Sequence, residues 1–101
     1  MIVHHVLFRL KRPTHDEART EFADALRRFG ADAPFAVGPA TVQESLMLRG
    51  ESPRTADVLL TVTFHRPEDF ASYLASAAHD ALLRETLEPM CEGWWSVQAQ
   101  A

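Results

Sequence analysis

The stretch DVLLTVTF, residues 57–64, is almost continuously apolar and β-branched. That is the composition of a strand covered on both of its faces. A second run, IVHHVLFRLK at residues 2–11, is also rich in β-branched and aromatic residues, and Pro13 lies just beyond it. It too reads as a strand. Side chains alternate along a strand, so His4, Val6, Phe8 and Leu10 share one side of this run and Val3, His5, Leu7 and Arg9 the other. Both sides are largely apolar.

Between these two runs, Thr14 and Glu17 form a capping-box pattern that predicts a helix start. Ala18, Phe22, Ala25, Leu26 and Phe29 then recur at helical spacing, charged residues occupy the opposite side, and Gly30 stands where a C-terminal cap belongs. Residues 35–48 read as a weaker strand, interrupted early by Gly38 and Pro39 and therefore suited to an edge. Residues 49–55 read as a loop. After the 57–64 strand, Pro67 suits a first helical turn and Glu68 and Asp69 suit its positive end. Phe70, Tyr73, Leu74 and Ala77 form one apolar stripe, and His79, Leu82, Leu83, Thr86, Leu87 and Met90 a second. Gly93 then separates a last strand, WWSVQA, residues 94–99.

The order is βαββαβ, and it predicts a ferredoxin-like α+β fold with two helices on one face of a four-stranded antiparallel sheet. No repeat or linker interrupts residues 1–101, so a single domain is expected. Two helices cover one sheet face only. Leaving the other apolar face wet would expose a larger patch than soluble monomers usually tolerate. A second copy of the chain is the simplest cover, which predicts a homodimer joined through its sheet faces into an α/β barrel.

Composition narrows the function classes. The 101 residues are 47% hydrophobic and 24% charged, and the formal net charge is −4 with acids and bases interspersed. No basic stripe for nucleic acid emerges. No apolar stretch approaches the ~20 residues of a membrane span, and the N-terminal run lacks the preceding basic residues of a signal peptide. Cys91 is the one cysteine, so neither an internal disulfide nor a zinc spacing is available. A cytoplasmic protein without cofactor or metal is the expectation. His4 and His5 are adjacent on a strand, face opposite ways and cannot chelate one ion together.

The opening IVHHVLFRLK, the DVLLTVTF strand followed by PEDFASY, and YLASAAHDALLRETLEPM together resemble the stress-responsive α/β-barrel family, the dimeric Dabb domains. The likeness runs from residue 2 to about residue 97. Its most specific parts are the first-strand histidine, matched by His4, and a tyrosine and histidine six residues apart, matched by Tyr73 and His79. The resemblance implies a ferredoxin-like subunit dimerising through its sheet. It also implies a small apolar pocket between helices and sheet, with Tyr73 and His79 as its catalytic pair and His4, Val6, Phe8 and Val58 among its lining. Members include plant heat-stable and boiling-stable proteins, uncharacterised bacterial proteins and a plant polyketide cyclase acting on a β-ketoacyl thioester. Two departures matter: Ser76 and Ala77 replace a frequent His-Pro pair, and Val58 stands where the cyclase carries a histidine.

On one uninterrupted helix, six residues place Tyr73 and His79 about 120° apart. Convergence needs a break, and Ser76 is suited to cap a second helix. An imidazole and a phenol in one pocket would suit an acidic C–H beside a carbonyl, the histidine taking the proton and the tyrosine hydroxyl bonding to the enolate. Against this stands a plainer reading, in which Tyr73 is a core aromatic and His79 a satisfied, partly buried histidine. His15 and His65 read as surface residues, and Cys91 lacks a partner at fixed spacing. Trp94 and Trp95 must point to opposite faces, one of them toward the pocket rim or a dimer contact. Three functions are consistent with these residues: a small-molecule binder or cofactor-free enzyme, a stress-associated structural dimer, and a cofactor-free monooxygenase of the antibiotic-biosynthesis type.

Overall fold

Two central strands, β1 (Ile2–Leu10) and β3 (Val58–Phe64), pair antiparallel with Val6 opposite Leu60 and Phe8 opposite Val58. The computed structural model describes residues 1–101. The short β2 (Thr41–Glu44) flanks β3 and the long β4 (Cys91–Gln100) flanks β1, so the sheet order is β2-β3-β1-β4. The helical side carries α1 (Asp16–Gly30), α2 (Pro67–Leu74), α3 (Ala77–Leu82), a π-helical turn at Leu83–Leu87 and the one-turn α4 (Glu88–Met90).

The alternation read from the sequence orders the core. Val6, Phe8, Val58, Leu60, Val62 and Phe64 turn to the helices and are buried against Phe22, Leu26, Tyr73 and Leu82. Burying a side chain of this size is worth about 1.5–3 kcal/mol, so this layer holds the helices to the sheet. The opposite face carries Leu7, Leu59, Thr61, Trp95 and Val97 and has no cover within the chain. There Leu7, Trp95 and Val97 remain 46%, 59% and 57% exposed.

Four local expectations are corrected. Thr14 does not cap α1: the backbone stays extended through His15, whose Nδ1 accepts the Ala18 N–H at 3.3 Å, while the Thr14 hydroxyl is enclosed without a partner. Gly30 is the last helical residue and not a cap. Its missing side chain makes room for Ala40, since a Cβ there would lie 2.8 Å from the Ala40 Cβ. The second strand is only Thr41–Glu44, because positive φ at Phe35 (64°), Gly38 (70°) and Met47 (55°) turns the chain out of the sheet on both sides. Finally, β4 starts at Cys91, so Gly93 lies inside it. The Trp95 ring folds over Gly93, where a Cβ would stand 2.9 Å from Cη2.

One ion cluster anchors the loop before β3. Asp57 is fully buried and accepts hydrogen bonds from Arg12 (2.7 Å), Arg19 (2.9 Å) and the Leu10 N–H (2.8 Å). Burial alone would raise its pKa, but these donors outweigh that cost and hold the carboxyl below its usual value. Arg9 donates to the Ser52 and Thr55 carbonyls, each at 2.8 Å, and pairs with Glu92. The loop is thereby tied to the end of β1. No helix is long and apolar enough to cross a membrane.

Candidate functional site

The helix carrying Tyr73 stops immediately after it. Ala75 ends α2, Ser76 adopts an extended conformation (φ −73°, ψ 151°), and α3 begins at Ala77. The Ser76 hydroxyl donates to the Tyr73 carbonyl at 2.7 Å and accepts the His79 N–H at 3.1 Å. Serine thus closes one helix and caps the next, which is the break that convergence requires. The Tyr73 and His79 rings meet edge to face, 4.9 Å between centroids at 64°. His4 reaches the same place from β1, with its ring 6.0 Å from Tyr73 and 4.9 Å from Phe70.

These three residues line one cavity of about 140 Å³, with Val6, Phe8, Leu74, Leu82, Leu83, Leu87, Trp94 and Ser96. The π-helical turn contributes Leu83 and Leu87; its wider coil is a common feature of functional sites. Val58 stands outside the lining. It faces the helices beside Phe8, but on the β3 side of β1, whereas the cavity lies over the β1–β4 half of the sheet. A larger hollow of about 710 Å³ is bounded by residues of the Ser45–Ala56 segment alone. It gathers no imidazole, carboxylate or thiol, whereas the smaller cavity brings together two imidazoles and a phenol.

The electrostatics of the cavity follow from burial. His4 is buried, and desolvation, helped by the nearby His79 and then His5, lowers its pKa to about 4. Burial also lowers the pKa of His79, against an opposing pull from Asp80. Tyr73, only 1% exposed, is raised to about 12 by desolvation. At neutral pH the cavity therefore presents two neutral imidazoles and a protonated phenol.

The polar atoms are free to meet a guest. Neither the Tyr73 hydroxyl nor the His79 ring takes a hydrogen bond within the chain. The enclosed side-chain atoms without a partner are Arg12 Nε, which still has a Glu51 carboxylate oxygen 2.8 Å away, and Thr14 Oγ1. The unpartnered Tyr73 hydroxyl is not among them, and Tyr73 lines the cavity. Cys91 is buried and its thiol is pushed up to about 12 by desolvation, which leaves it protonated and unreactive. No group of three or more His, Cys, Asp or Glu side chains is arranged to hold a metal ion.

Trp94, Ser96 and Gln98 form the β4 wall of this region, and Ser96 and Gln98 add to the residues expected there from the sequence. Their register on β1 places Trp94 beside Phe8, Ser96 beside Val6 and Gln98 beside His4. The alternation of WWSVQ contains that signal, but only once the pairing with His4 is known.

Comparison with known proteins follows the same outline. The sequence model of the stress responsive A/B barrel domain family, Dabb, matches residues 2–100. A Dabb-family protein with a ferredoxin-like fold from Mesorhizobium loti is 17% identical and superposes with a TM-score of 0.77, covering 99% of this chain and 95% of that one. A dimeric ferredoxin-like protein of unknown function from Thermobifida fusca is 21% identical with a TM-score of 0.75, over 99% and 90% of the two chains. A hydroxynitrile lyase from Passiflora edulis is 17% identical with a TM-score of 0.72, over 97% and 90%. No curated protein matches the chain.

Proposed function

The chain belongs to the stress responsive A/B barrel domain family, and from that premise we propose that it is a homodimeric small-molecule-binding protein that performs cofactor-free acid–base chemistry on a short β-dicarbonyl compound. The observation that carries this reading is the cavity in which His4, Tyr73 and His79 meet among apolar walls. A structural dimer has no use for unpartnered polar groups in such a space.

Size restricts the guest. A dry cavity of about 150 Å³ takes a benzene-sized molecule, and drug-sized sites run to ~300–1,000 Å³. The roughly equal 140 Å³ here suits an acetoacetyl-sized group. Protonation states restrict the chemistry. Neutral His79 takes the proton from the carbon between the two carbonyls, the C–H electron pair moves onto a carbonyl oxygen, and the Tyr73 O–H donates a hydrogen bond to that oxygen. An imidazole of lowered pKa is a weak base, so only an already labile C–H is within its reach. The lyase among the structural neighbours is consistent with proton transfer on this scaffold.

The second copy covers the bare sheet face, where Leu7, Leu59, Trp95 and Val97 form an apolar surface. Two structural neighbours described as dimeric support self-association.

The test is hydrogen–deuterium exchange at the central carbon of ethyl acetoacetate, followed by NMR in deuterated buffer. The protein should accelerate exchange, His79→Ala should abolish the acceleration, and Tyr73→Phe should reduce it by about 10²-fold. Equal exchange with wild type and both folded variants rejects the acid–base reading.

A further inference from the structure

We propose that Gln98 is a positioning residue that fixes His4 as an Nε2–H tautomer, making His4 a second hydrogen-bond donor, beside the Tyr73 hydroxyl, to an enolate oxygen formed in the cavity. The inference rests on the acid–base reading of the same cavity and adds to it a role for two residues.

The geometry begins with strand register. Gln98 on β4 is the direct partner of His4 on β1, and paired residues project from the same sheet face. The Gln98 amide nitrogen lies 2.9 Å from His4 Nδ1 and 3.2 Å from Ser96 Oγ. An amide nitrogen carries two hydrogens, so it can donate to both neighbours. With that N–H donating, Nδ1 is the acceptor and the ring's own proton must sit on Nε2.

Nothing in the chain accepts that Nε2–H, and the nitrogen is not among the enclosed unpartnered atoms. Its ring lines the cavity with Tyr73. Two neutral donors then border one cavity, and a pair of donors on one oxygen is the arrangement that stabilises developing negative charge.

The choice of glutamine matters. A carboxylate at residue 98 would accept from Nδ1–H, reverse the tautomer and favour the imidazolium. The neutral amide leaves burial and the facing His79 to keep the ring uncharged, with its pKa near 4. His5 lies on the opposite sheet face and bonds Thr61 at 3.2 Å, and Tyr73 stays protonated, so no anion faces His4. A neutral imidazole held this way donates without surrendering its proton, as in known isomerase sites. No covalent bond to His4 or Gln98 forms or breaks.

The full chain, labelled with ¹⁵N, tests this by long-range ¹H–¹⁵N correlation of the imidazole rings at pH 7. Wild-type His4 should show a protonated Nε2 and a bare Nδ1. Gln98→Glu should move the proton to Nδ1 or protonate both nitrogens, and Gln98→Leu should give mixed tautomers, with backbone amide spectra verifying that both variants fold. In the deuterium-exchange assay, kcat should fall by about 10²-fold in Gln98→Glu. A wild-type ring protonated on Nδ1, or an unchanged Nε2–H form in Gln98→Glu, overturns the proposal. If the tautomers behave as expected but the wild-type protein accelerates no exchange, the acid–base reading and the donor role fail together, while the positioning of His4 by Gln98 stands.

Discussion

Tyr73 and His79, six residues apart in the chain, hold their rings 4.9 Å apart in an edge contact that an unbroken helix does not permit. The rotation of about 100° per residue would splay them. Ser76 removes that obstacle by ending α2 and capping α3 with one hydroxyl, so a single small polar residue brings a phenol and an imidazole to one cavity.

Replacing Ser76 by alanine should therefore affect both stability and the site. Loss of a serine N-cap costs about 1 kcal/mol, which for a chain of this size lowers Tm by roughly 4–8 °C. Ser76→Asp, which keeps the acceptor for the His79 N–H, should recover most of the loss. Thermal unfolding by circular dichroism reads both; equal melting of wild type and Ser76→Ala would show that the cap contributes nothing.

Acid should weaken the fold through His4. Its pKa falls from 6.5 to about 4 on folding, so the unfolded chain binds more protons between those values. Stability is then fully present above pH 6.5 and is lost as pH falls toward 4, by roughly 3 kcal/mol from this residue. Urea unfolding at a series of pH values should show that slope, and His4→Asn should flatten it.

Asp57 concentrates a different kind of stability. Asp57→Asn leaves Arg12 and Arg19 beside a neutral amide in a buried setting, and breaking such a pair from one side costs about 3–5 kcal/mol. Denaturant midpoints measure the loss. A change under about 1 kcal/mol would mean that water reaches these guanidinium groups in place of the carboxylate.

Charge placed on the bare sheet face should abolish the proposed self-association without unfolding the subunit. Leu7 and Trp95 are cross-strand partners there, and both are exposed in the single chain. Sedimentation of Leu7→Glu and Trp95→Glu should show monomers with native circular dichroism, and persistent dimers would place the interface elsewhere.

Close approach at two glycines gives a fifth measurement. A methyl at Gly30 meets Ala40 at 2.8 Å, a neighbour without flexible atoms to yield, whereas at Gly93 it meets the Trp95 ring at 2.9 Å. Gly30→Ala should cost about 1–3 kcal/mol. Gly93→Ala should cost less in the subunit, because the exposed Trp95 ring has room to move away, and should weaken self-association instead. Unfolding and sedimentation of the two variants separate these effects.

Much of this architecture follows from local pattern. The apolar run from Val58 to Phe64, the alternation of Ile2–Leu10 and the two helical stripes define the element order and the core face, because side-chain direction depends only on the period of the backbone. The same pattern exposes the excess apolar face that calls for a second copy. Ser76 was legible as a possible cap for the same reason. Other features depend on which distant residues become neighbours. Asp57 looks like a flaw in an apolar strand until Arg12 and Arg19 fold around it. Val58 shares a face with Phe8, but the cavity lies over the other half of the sheet. Gln98 acquires a role only through its register opposite His4, ninety-four residues away. Periodicity sets where a side chain points, and it is a property of each local stretch. Which groups meet, how dry their meeting place is, and therefore which protons they hold, were decided by tertiary packing, because desolvation and hydrogen bonding act between residues that no local pattern relates.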